Sequence, residues 1–66
     1  MRKDILNALT LHFTAEIMKH KMNVEVMLNN PIAIHDHTDL MAAIEKEVSI
    51  IAEYTDKLEV LAKHFE

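Results

Sequence analysis

The chain has no cysteine, no glycine and no tryptophan, and one proline in 66 residues. Without cysteine there are no disulfide staples and no thiolate metal ligands, so a domain this small must be stabilised by burial and association. Without glycine there is no phosphate-cradling loop, which needs a closer backbone approach than a Cβ permits. No window of about 20 apolar residues exists, so no membrane span is expected. The start, Met1-Arg2-Lys3-Asp4 and then apolar residues broken by Asn7, Thr10, His12 and Thr14, lacks the layout of a cleavable leader. The expected setting is soluble and cytoplasmic. Positive charge is also scarce: seven Lys and Arg stand against eleven Asp and Glu, for a net charge of −4. Binding to a phosphate backbone needs clustered Lys and Arg, so nucleic acid is not an expected partner.

Half of the residues are apolar, mostly Leu, Ile, Val, Ala and Met. At this length a compact monomer hides only about 60% of the surface of its unfolded chain. One hairpin therefore cannot hide so much apolar surface.

Between Asp4 and Leu28 nothing interrupts a helix. Wound at about 100° per residue, Leu6, Leu9, Phe13, Ile17, Val24 and Met27 gather on one side. Leu11, Ala15, Met18, Met22 and Val26 gather on the other. Narrow polar seams of mixed sign separate the stripes, unlike the strongly basic face of a helix that lies on a membrane. A helix with one neighbour needs one apolar stripe, and two opposed stripes require two neighbours.

Asn29 and Asn30 are suited to the left-handed conformation that ends a helix where glycine is absent, and Pro31 cannot continue the ladder. The expected turn covers residues 30–36. Ile32 and Ile34 are expected to fold over the end of the helices, the alternative being a small exposed patch that a partner could grip. Asp36 is the expected cap of the second helix, with Thr38 competing and Asp39 in its first turn. From His37 to about residue 65 the pattern is heptad-like. Ile44, Ile51, Leu58 and Phe65 recur every seven residues, with Met41, Val48, Thr55 and Ala62 as the second row and Leu40, Tyr54 and Leu61 at the flank. The stripe is about 160° wide, which suits a bundle of three or four helices better than a two-stranded coil. Rods of roughly 40 Å joined by a short turn lie antiparallel. The expected architecture is all-α: a single-domain antiparallel hairpin, helices about 4–29 and 37–65, dimerising into a four-helix bundle. The hairpin core is the first stripe with Met41, Ile44, Val48, Ile51, Leu58, Leu61 and Phe65. The interface between copies is Leu11, Ala15, Met18, Met22 and Val26.

Charge differs between the halves. Arg2, Lys3, Lys19 and Lys21 against Asp4, Glu16 and Glu25 give residues 1–30 a net +1, while three lysines against eight acids give residues 31–66 a net −5.

Chemistry-bearing residues are few. His35, His37 and Asp39 cluster at the turn and are the candidate metal ligands, but Asp36 between them is wanted as a cap. His12, Glu16 and His20 lie one turn apart on the first helix. No Glu-x-x-His pair of the di-iron bundles accompanies them, so a Glu16–His20 hydrogen bond at the edge of an interface is expected instead. If His20 faces the core, its protonation at mildly acid pH is expected to loosen the assembly. Ser49 has no histidine at helical spacing, and no catalytic residue or cofactor is expected.

The run from Val24 to Leu40, in which an apolar helix end passes through Asn29-Asn30-Pro31 into the His35-Asp36-His37 start of the next helix, resembles a segment of short helical-hairpin proteins of contractile-tailed phages, marine ones especially. The resemblance covers roughly residues 20–65, with Ala33 and His35 where that pattern has glycine and Thr38 where it has proline. It implies a helical hairpin and brings no catalytic residue. The expected function is a non-enzymatic structural or protein-interaction module that pairs with itself and with a protein partner the sequence does not name. The alternatives are a metal-binding protein that uses the turn cluster, and an acidic mimic of nucleic acid.

Overall fold

The computed structural model describes residues 1–29 and 37–66, with side chains in the second helix described from Asp39 onward. These residues form two helices in contact, α1 over Arg2–Asn29 and α2 over His37–Phe65, with no strand among them. Of the sites expected at the turn, Asn30, Pro31, His35, Asp36 and the side chain of His37 lie outside the described residues, as do Ile32 and Ile34. The molecule measures 49 × 15 × 12 Å, with a radius of gyration of 15.1 Å. A compact chain of this length has a radius of about 11 Å, so the hairpin is a rod.

Both helices follow from uninterrupted helix-forming sequence, and each is marked at its ends. Asp4 occupies the first turn of α1, and Lys63 and His64 occupy the last turn of α2, each sign matching the adjacent end of the helix dipole. Arg2 donates from Nη2 to the Phe65 carbonyl at 2.5 Å, so the start of α1 satisfies an unpaired acceptor at the end of α2. At the far end of α1, of the two residues suited to a left-handed conformation, Asn29 does not have positive φ and Asn30 lies outside the described residues. Asn29 remains helical and its side-chain amide donates to the Glu25 carbonyl at 2.7 Å. The Glu25 carbonyl, the ordinary acceptor for the Asn29 N–H in the helical ladder, thereby takes a second donor from the same residue.

The helices run antiparallel with one register, in which Arg2 meets Phe65, Phe13 meets Tyr54 and His20 meets Glu47. The less exposed residues of α1 are Leu6, Thr10, Phe13, Ile17, His20, Val24 and Met27, in alternating steps of four and three, with Glu16 and Asn23 beside them. Those of α2 are Leu40, Ile44, Glu47, Ile51, Tyr54, Leu58 and Leu61, with the same steps, and Ala43 and Ile50 beside them. This is the heptad seam of an antiparallel coiled coil. The phenyl of Phe13 and the ring of Tyr54 lie 5.9 Å apart, and Lys57 Nζ sits 4.6 Å over the Tyr54 ring.

The seam differs from the expected one on α2. Ile44, Ile51, Leu58 and Leu61 lie in it, but Met41, Val48 and Phe65 stand exposed, Met41 by 71%. The second row runs through Leu40, Glu47, Tyr54 and Leu61, one residue earlier than the row through Met41, Val48, Thr55 and Ala62. The physical reason is Glu47, a polar residue seated in the seam because His20 of α1 faces it. On α1, Leu9 lies at the edge of the seam and is 37% exposed.

No described side chain is fully buried. Two rods in contact shield each other along one line only. The accessible surface is 5295 Å², whereas a compact monomer of 7.6 kDa exposes about 4,300 Å².

Candidate functional site

Two features rise above a plain hairpin. The first is an apolar stripe on the side of α1 that faces away from α2. Leu11, Ala15, Met18, Met22 and Val26 are all exposed, Leu11 by 72% and Met22 by 66%. At 100° per residue this stripe lies about 170° round the helix from the seam residues of the same helix. Its steps, Leu11 to Ala15 to Met18 to Met22, are again four, three and four. Met18, Lys21, Met22 and Glu25 surround an open hollow of about 250 Å³ with mainly apolar walls. Those four positions are spaced as a residue with its third, fourth and seventh neighbours. That is the diamond into which a facing helix inserts one side chain in coiled-coil packing.

The second feature is a polar node in the middle of the hairpin seam. His20 is only 13% exposed and Glu47 16%. The imidazole Nδ1 of His20 meets Glu47 Oε2 across the helix pair, and Nε2 lies 3.4 Å from Glu16 Oε2 on its own helix. Asn23 donates from Nδ2 to Glu47 Oε1 at 3.2 Å. Lys19 pairs with Glu16 at 3.2 Å, so each polar group of the node has a partner. The hydrogen bond from His20 holds the Glu47 carboxyl below its ordinary pKa against an opposing desolvation, helped by Asn23. Lys19 holds Glu16 low in the same way, with smaller help from the charges of His12 and His20.

Both ring nitrogens of His20 face carboxylate oxygens. His12, grouped with His20 by spacing, instead packs against Phe13 and Tyr54, with ring centroids 5.7 and 6.2 Å away. Glu47 was missed by pattern reasoning, although it interrupts an otherwise apolar row every seven residues.

Asp39 is exposed in the first turn of α2. Among the described residues no group of three or more His, Asp or Glu side chains is placed to hold a metal ion, and no described helix is long and apolar enough to cross a membrane. Comparisons of the chain with protein-family models, with curated proteins and with solved structures find no match.

Proposed function

We propose that the protein is a non-enzymatic module that associates with itself through the outer stripe of α1 and offers the acidic surface of α2 to a protein partner. The observation that carries this reading is the exposed stripe of Leu11, Ala15, Met18, Met22 and Val26 opposite the hairpin seam. Area supports it. The chain exposes roughly 1,000 Å² more than a compact monomer of its mass, and a standard interface takes about 800 Å² from each partner. Thermodynamics points the same way, because a short chain with no fully buried side chain among its described residues gains its missing burial from a second subunit. Once α1 is covered, the surface left to solvent is dominated by α2, with Glu45, Glu53, Asp56 and Glu59 against Lys46, Lys57 and Lys63.

Sedimentation equilibrium over a range of protein concentrations tests the proposal. The expected mass is twice 7.6 kDa, with a melting temperature that rises with concentration. A folded species of single-chain mass at every concentration, with a concentration-independent melt, overturns it.

A further inference from the structure

We infer that the two copies meet α1 against α1 in antiparallel register, with Leu11 of each seated in the hollow of the other. The four helices then lie in a flat row, α2–α1–α1–α2. This inference rests on the self-association proposed above and adds its geometry.

The row follows from the angle between the two faces of α1. In a square bundle each helix touches its neighbours at about a right angle, with one broad face turned to a common core. The two stripes of α1 are about 170° apart, so its neighbours stand on opposite sides. α2 concentrates its apolar residues toward α1 and carries mixed charge behind. It is built as an outer rod, and α1 as an inner one. Contact between identical faces of α1 closes at two copies. The outer face of α1 laid on the back of α2 from the next copy would repeat without end. The α2 back also sets Glu45, Glu53 and Asp56 in the way of apolar contact.

The antiparallel sense follows from the stripe's own layout. Running the second α1 in reverse sets Leu11 opposite Met22, Ala15 opposite Met18, and Ala8 opposite Glu25. This register turns about a point between Glu16 and Ile17, close to the middle of α1, so it overlaps the helix along nearly its whole length, Arg2–Asn29. Each small Ala15 then faces a long Met18, which is how layers interdigitate. Leu11 of the second copy comes level with the hollow between Met18, Lys21, Met22 and Glu25. At one end Ile5 comes level with Leu28, both exposed in the single hairpin. A parallel pairing sets every residue against itself. It stacks Ala15 on Ala15 between two bulkier layers, leaving a void. Aligned helix dipoles disfavour it further.

The chain has no cysteine, so disulfide trapping is clean. Two single variants, Ala8→Cys and Glu25→Cys, leave Leu11, Ala15, Met18 and Met22 in place. Each is oxidised alone and in an equal mixture, with the solution mass of the unoxidised variants measured beside it. A disulfide forms only where Cα atoms come within about 7 Å. The expected result is a covalent dimer in the mixture alone, containing one chain of each kind. Covalent dimers from each variant alone, with no excess in the mixture, mean a parallel pairing and overturn the register while leaving self-association intact. A dimeric mass with no covalent product in any sample overturns the use of this face. A monomeric mass overturns the inference together with the proposal beneath it.

Discussion

α1 and α2 are 28 and 29 residues long and meet along one shared seam, but they dispose of their remaining apolar residues in opposite ways. α2 keeps most of its large apolar side chains on the side facing α1. α1 divides its own between that seam and a second stripe across the helix, so that its apolar character has no single direction. The two rods have similar length. What separates them is how many neighbours each sequence demands, one for α2 and two for α1. Charge follows the same division. Within the helices themselves α1 is slightly basic and α2 acidic, which gives the pair inside one hairpin a modest attraction and discourages contact between two α2 rods.

The sharpest way to break this asymmetry is to put charge on each outer face in turn. Met18→Glu with Met22→Glu removes two long side chains per copy from the proposed interface. Each buried side chain of this kind stabilises by about 1.5–3 kcal/mol, so losing four of them per dimer weakens association by at least about 10⁴-fold. The matching change on the back of α2, Ala42→Glu with Val60→Glu, is expected to leave the mass unaltered. Equal loss of dimer from both variants in sedimentation equilibrium would show that the two helices are not different in kind.

A second test weakens the seam that both helices share. Phe13 and Tyr54 meet at its centre, 5.9 Å apart. Phe13→Ala is expected to cost about 2 kcal/mol in denaturant unfolding, roughly half of what a fully buried Phe loses, because the ring is only partly shielded. Leu11→Ala lies on the other face, and its effect in the same experiment is expected to depend on protein concentration where that of Phe13→Ala is present at all concentrations.

Much of this was visible in the chain itself. An unbroken stretch from Asp4 to Leu28 with two periodic stripes predicts a long helix, and α1 runs from Arg2 to Asn29. The stripe containing Leu11, Met18 and Met22 is readable because nothing polar interrupts it. The second row of α2 was not, and the reason is local. A hydrophobicity pattern treats Glu47 as an outward residue and so selects Met41 and Val48, one position along. What admits Glu47 to the seam is His20 on the other helix. Each row taken singly has one polar member, Glu47 among Leu40, Tyr54 and Leu61, and His20 among Leu6, Phe13 and Met27. Only when the helices are folded back on each other do the two interruptions coincide and satisfy one another. Asn29, one of the two residues suited to a left-handed backbone, stays helical with its side-chain amide on the Glu25 carbonyl four residues earlier, and the other, Asn30, lies outside the described residues.

The polar node distinguishes the two faces of α1, since the outer stripe has nothing like it. Glu47→Ala leaves His20 part-buried with Glu16 as its only carboxylate, and is expected to destabilise the hairpin. Replacing both members, His20→Leu with Glu47→Leu, is expected to recover the loss and even exceed it, because removing a buried polar pair together avoids stranding either partner. The pair then acts as a register pin: the all-apolar seam allows the helices to slide by a heptad, and a distance measured between labels at Lys3 and Lys63 broadens. A sharp, unchanged distance would remove the pinning role.

The smallest effect expected is that of acid. His20 and Asn23 hold the Glu47 carboxyl below its ordinary value of 4.5. A carboxyl whose pKa is depressed by folding adds stability above its unfolded value and gives it up as pH falls through the folded one. The contribution of Glu47 is therefore present at pH 6 and fades below about pH 4.5, with Glu16 fading alongside it for the same reason through Lys19. Comparison of the native chain with Glu47→Gln isolates the part owed to Glu47. The native hairpin is expected to be the more stable at pH 6, with the gap closing as the solution is taken to pH 3. Because the outer stripe of α1 has no carboxylate paired in this way, acid should act on the hairpin seam before it acts on the contact between copies. A gap between the two proteins that stays constant from pH 6 to pH 3 would mean that Glu47 fills the seam by shape alone, and that its carboxylate charge does not hold the helices together.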